Sequence, residues 1–235
     1  MNNKSSQSVV YLLLFLSIAG IMFLQIVNVK AASSNRYYAG YYYYGYSGTA
    51  PDGVQAEIFT RNTGIPPYFE FVGEWDTIII NYSPMYWVQL GYTIHWAWII
   101  FPIIPFATVD FYREKWDANG HGFWWLIPLK PLFDHYYKYK LLLTGPYEFS
   151  YYVYEGATTI YSGIISVTHY IPRDLQAFVE TTHTGINIGG SHFYYLRYHE
   201  SGASWPLWNK HYPTVDYPYS LNQISHYEFS ASGGG

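Results

Sequence analysis

Tyr86-Trp87-Val88-Gln89-Leu90-Gly91-Tyr92 reads as a half-buried β-strand. Side chains alternate along a strand, so Trp87 and Gln89 fall on one face and Val88 and Leu90 on the other. An amide set among aromatic groups costs free energy when buried without partners, and it can both donate and accept hydrogen bonds. Gln89 therefore marks a face that something must pair with.

The same alternation recurs outward from this stretch. Val54–Phe59, Thr108–Trp116, Tyr147–Tyr154 and Leu175–Thr181 read as strands, and Phe69–Ile80 as a bent strand or a strand pair. Tyr136–Leu143, Thr158–Ser166, His192–His199 and Ile224–Ser230 continue the series, and the Tyr/Gly-rich Tyr37–Tyr46 opens it. Turn signals such as Pro51-Asp52-Gly53 and Glu155-Gly156 separate them, and no stretch keeps a capped 3.6-residue period. The pattern predicts an all-β chain, a two-sheet antiparallel sandwich of the concanavalin-like jelly-roll type. It would occupy residues 36–230 as a single domain, with a loose tail over 231–235.

Composition agrees. Aromatic residues make up 22% of the chain, with 29 tyrosines, and charged residues only 12%, a balance that favours strands over helices. A net charge of -4 offers no basic surface to nucleic acid. With few carboxylates to protonate, acid threatens few ion pairs. There is no cysteine, which removes disulfides and thiol chemistry.

At the amino terminus, Lys4 precedes an uncharged apolar run from Val9 to Val27, and Val29-Lys30-Ala31 fits a small-residue cleavage pattern. Residues 1–31 read as a signal peptide, with an uncleaved membrane anchor as the alternative, and the mature chain as a secreted monomer. Asn81-Tyr82-Ser83 is a glycosylation sequon with Pro84 directly behind it. The apolar Ile99–Phe106 segment, broken by Pro102 and Pro105, reads as an insertion loop.

Chemistry has few candidates. No Gly-x-Ser-x-Gly elbow, phosphate loop or His-Glu-x-x-His spacing occurs, so no metal or cofactor is expected. Most glutamates, Glu74 among them, read as solvent-facing. Two differ. Glu114 shares a strand face with Tyr112 and Trp116, and Glu180 shares one with Gln176 and Phe178. Aromatic surroundings disfavour the charged carboxylate and raise its pKa toward a range useful for acid–base work.

Trp87-Val88-Gln89-Leu90-Gly91, Tyr112-x-Glu114-x-Trp116 and Ala177-Phe178-Val179-Glu180 follow the order seen in the glutamic peptidases, or eqolisins, which this chain resembles over residues 36–230. The first and second elements are farther apart than in that family, and Ile99–Phe106 accounts for the extra length. The disulfides of fungal members are absent. The resemblance implies a lectin-like double-sheet jelly roll that hydrolyses polypeptides in acid. By position, Gln89 and Glu180 match the catalytic dyad and Glu114 a supporting groove position, with Trp87, Tyr112 and Trp116 as substrate-gripping aromatics. Three alternatives stay open: a Gln–Glu pair that merely hydrogen-bonds within the sheet, a non-catalytic carbohydrate-binding module, and a cell-surface structural subunit.

Overall fold

The computed structural model describes residues 35–44, 51–62, 71–99, 104–168, 171, 173–200 and 204–235. The leader, residues 45–46, Glu70 and the tip of the Ile99–Phe106 segment lie outside the described residues.

The described chain is all strand and loop. In order the strands are β1 (Tyr37–Tyr44), β2 (Gly53–Thr60), β3 (Phe71–Tyr82), β4 (Met85–Ile99), β5 (Ile104–Asp117), β6 (Gly120–Trp125) and β7 (His135–Gly145). Then follow β8 (Glu148–Glu155), β9 (Thr158–Ser166), β10 (Asp174–Thr181), β11 (Ser191–His199), β12 (Tyr212–Val215), β13 (Ser220–Ser225) and β14 (Glu228–Ser232). They form two antiparallel seven-stranded sheets, β12-β1-β10-β3-β4-β5-β6 and β13-β14-β11-β2-β7-β8-β9. The jelly-roll sandwich expected from alternation is the observed architecture.

The alternation also decides what lies between the sheets. Val88, Leu90 and Tyr92 of β4 face Val54, Ala56 and Ile58 of β2 and Tyr139 and Leu141 of β7 across one core, all fully buried. Each valine, leucine and isoleucine there contributes about 1.5–3 kcal/mol by leaving water. Two of the buried tyrosines bond their hydroxyls to the backbone: that of Tyr92 donates to the Phe59 carbonyl (3.1 Å), and that of Tyr137 accepts from the Leu132 amide (3.0 Å).

Of the two readings of Phe69–Ile80, its described residues bear out the single strand, as part of β3. Three segments differ from the reading of the sequence. Ile99–Phe106 is not an insertion loop at its described ends: β4 and β5 stay paired out to Ile99 and Ile104. Ile224–Ser230 is not one strand but the turn of the β13–β14 hairpin, with Ser225 paired to Glu228. Where a loose tail was expected, β14 runs through Ser232, and the Gly233 carbonyl accepts from the Ile188 amide at 3.0 Å. The glycine run carries no strand signal, and its order comes from these tertiary bonds.

Candidate active site

The first sheet's outer face is built in rows. Register places Glu114, Gln89, Thr77, Gln176 and Tyr42 side by side across β5, β4, β3, β10 and β1. Two residues along each strand, the next row is Tyr112, Gly91, Trp75, Phe178 and Gly40. The row after that is Asp110, Thr93, Gly73, Glu180 and Tyr38. Gln89 and Glu180 therefore share the face, two strands and two rows apart, with Trp75 on the diagonal between them. At the other end Trp87 and Trp116 stack with centroids 5.5 Å apart, and Trp116 is 41% exposed.

Gln89 is 5% exposed and its amide is fully engaged. Its Oε1 accepts from the Thr77 hydroxyl (3.2 Å), while its Nε2 donates to the Tyr112 hydroxyl (2.5 Å) and, more weakly, to Glu114 Oε2 (3.4 Å). Tyr112 is not an open groove wall. It is 3% exposed beneath Phe123 of β6, its ring stacked on that phenylalanine at 5.0 Å. Its hydroxyl ends over Gly73, 3.5 Å from where a Cβ would stand, in space that a larger side chain would fill. Sequence spacing gave Tyr112 its face but could not show the sixth strand closing over it.

Glycine also sets how closely the central strands approach. A Cβ on Gly91 would lie 2.1 Å from the Glu74 carbonyl oxygen and 2.8 Å from the Trp75 Cα, so no larger residue fits. That approach sits beneath Trp75, whose indole Nε1 donates to Glu180 Oε2 at 3.0 Å.

Glu180 is 9% exposed, and its second oxygen, Oε1, accepts from the Arg36 guanidinium. Burial raises its pKa; Arg36 opposes the rise and Glu114 adds to it. Burial likewise raises Glu114, opposed by His121, whose Nε2 lies 2.5 Å from Glu114 Oε1. No hydrogen bond joins Gln89 to Glu180 directly. Among the described residues Gln89 is held by Thr77, Tyr112 and Glu114, and Glu180 by Trp75 and Arg36, so the two are not a plain Gln–Glu sheet pair. Glu74 is the other correction: it is fully buried on the inner face of β3, where its Oε1 accepts from Arg61 Nε (2.9 Å) and Ser191 Oγ (2.7 Å). Arg36, Trp75, Thr77 and His121 had no signal in the sequence, because only strand register brings them to these carboxylates.

The arrangement offers an aromatic-lined sheet face with two carboxylates and one amide, each held at a fixed position by a neighbour. Such a set can hold a water, move a proton and hydrogen-bond a developing negative charge. No protein-family model matches this chain, and neither does any curated protein at the level of sequence. Solved structures do. Scytalido-glutamic peptidase with a transition state analog inhibitor superposes with a TM-score of 0.60 at 11% identity, covering 85% of this chain and 98% of that one. The same peptidase with a peptide-based transition state analog gives 0.57 at 12% identity over the same shares. SCP-B, an eqolisin-family peptidase in complex with the tripeptide Ala-Ile-His, gives 0.51 at 11% identity, again over 85% and 98%. At this identity the likeness is one of architecture, and the chain has the double-sheet fold of the glutamic peptidases.

Proposed function

We propose that this chain is a secreted endopeptidase of the glutamic type, acting on polypeptides in acid with no metal or cofactor. One observation carries the reading: Gln89 and Glu180 stand on one sheet face without bonding each other, Gln89 oriented by the Tyr112 hydroxyl and Glu180 by the Trp75 indole on the diagonal between them. An extended peptide crossing that face would present its scissile carbonyl between the two.

In the proposed cycle an ionised Glu180 takes a proton from a water as the water oxygen bonds to the carbonyl carbon. The carbonyl oxygen becomes an oxyanion and accepts from the Gln89 amide. The 3.4 Å bond from Gln89 to Glu114 is the weak one of its set, and it is the one the oxyanion would replace. Protonated Glu180 then gives its proton to the amide nitrogen as the C–N bond breaks, leaving an acid, an amine and an ionised glutamate. Trp87 and Trp116 would grip the chain's side groups, while Tyr112 orients Gln89 from below.

Hydrolysis of an unfolded protein at acid pH, in the presence of a chelator, tests the reading. Glu180→Gln should lower the rate by about 10²- to 10⁴-fold with an unchanged circular dichroism spectrum. Full activity in that variant would overturn the proposal. The exposed Trp116 face also suits stacking on sugars. Glycan binding by a wild-type chain that cleaves nothing would move the assignment to a lectin-like module.

A further inference from the structure

Resting on the proposed role of Glu180, we infer that Arg36 is a positioning residue that favours the ionised form of the catalytic carboxylate and fixes its aim on the outer sheet face. Arg36 lies just ahead of β1, and the β1–β10 register sets Tyr38 opposite Glu180. The arginine side chain thus reaches back along the outer face to Glu180 Oε1. Its guanidinium also lies over the Phe71 ring, 4.5 Å from the centroid, at the start of β3. It spans the end of the groove from β1 to β3, anchored on an aromatic face at one side and on the carboxylate at the other.

The two oxygens of Glu180 are thereby divided between two donors of different kinds. The neutral Trp75 indole fixes Oε2, and the permanently charged guanidinium fixes Oε1. Among the described residues, the other titratable groups facing Glu180 are Tyr38 of β1 and Tyr112 and Glu114 of β5. The tyrosines stay neutral, since burial raises both of their pKa values, and Glu114 repels an ionised Glu180. Arg36 is thus the cation that opposes burial at this carboxylate. Glu114, by contrast, has the His121 imidazole as its close partner. A base that must be ionised to work, in a groove that works in acid, needs a partner whose charge acid cannot alter.

The sign follows. Removing Arg36 leaves burial and Glu114 unopposed, so Glu180 protonates at higher pH and the rising acid limb of kcat/KM moves up. At this half-exposed position the shift should be about one pH unit, the low end for a carboxylate beside an arginine. Arg36→Lys restores the charge and should return most of the limb, while Arg36→Gln, which also removes the donor that fixes Glu180 Oε1, lowers the plateau rate as well.

The experiment is a kcat/KM profile for wild type, Arg36→Gln and Arg36→Lys, with ¹³C-carboxyl NMR of the Glu180 titration, assigned by its loss in Glu180→Gln. An acid limb and a Glu180 titration that both rise in Arg36→Gln and return in Arg36→Lys support the inference. A limb and titration unmoved in Arg36→Gln overturn it. Should wild type cleave nothing, the peptidase reading fails, yet the NMR titration still decides whether Arg36 holds Glu180 ionised.

Discussion

The molecule holds two arginine–glutamate pairs whose surroundings differ sharply. Glu74 and Arg61 meet inside the sandwich with side chains 0% and 1% exposed, and Arg61 also donates to the Asn187 carbonyl at 2.6 Å. Glu180 and Arg36 meet at the groove, with side chains 11% and 42% exposed. Both glutamates have raised pKa values, with burial as the largest cause and an arginine opposing it. The sealed pair has no route to a substrate and ties β3 to the Arg61 and Ser191 segments. The open pair lies on the outer sheet face, with the arginine side chain reaching solvent. A buried ion pair is therefore no sign of a site by itself; access and an unspent chemical role on the same face make the difference.

Breaking the sealed pair should have the larger effect on stability. Arg61→Ala leaves Glu74 buried without its cation and should cost about 3–5 kcal/mol in chemical denaturation. A loss under about 1 kcal/mol would show that the inner pair is not what distinguishes the two. Next is Asp76, one position beyond Trp75 on β3, fully buried, with no hydrogen-bond partner for either carboxylate oxygen among the described residues. Burial raises its pKa well above the usual value. A raised carboxylate contributes stability that is fully present below the unfolded value of about 4 and lost as pH rises toward the folded one. The melting temperature should therefore fall from pH 4 to pH 7. Asp76→Asn should flatten that slope and stabilise the protein at pH 7 by about 1–3 kcal/mol. An unchanged slope would refute this account of Asp76. Smallest of all is the open pair, where Arg36→Gln should cost no more than about 1 kcal/mol of stability while moving the acid limb of activity.

The contrast also explains what could be read from the chain. Alternation along Tyr86–Tyr92 placed Trp87 and Gln89 outward and Val88 and Leu90 inward, as they stand. The same rule misled at Glu74, because the polar parity of β3 faces the core and its partner Arg61 follows the end of β2, which no periodicity along β3 reveals. β12 escaped notice for a different reason: it is a four-residue edge strand carrying Pro213, which no central strand would tolerate. Tyr112 has the right face but the wrong exposure, because β6 and Phe123 close over it. Arg36 lies outside every sequence pattern, and only the pairing of Tyr38 with Glu180 brings it to the groove. Local pattern thus yielded strands and faces, while the partners of the carboxylates came from register.

The central claim is that Gln89 and Glu180 act together on one tetrahedral centre. The affinity of a peptide transition-state analogue, measured by calorimetry at acid pH, tests it without any need for turnover. Gln89→Ala and Glu180→Gln should each weaken the analogue by about 10²-fold or more, while an uncleavable substrate-like peptide keeps its affinity within a few-fold. An analogue bound equally well by wild type and both variants would contradict the account.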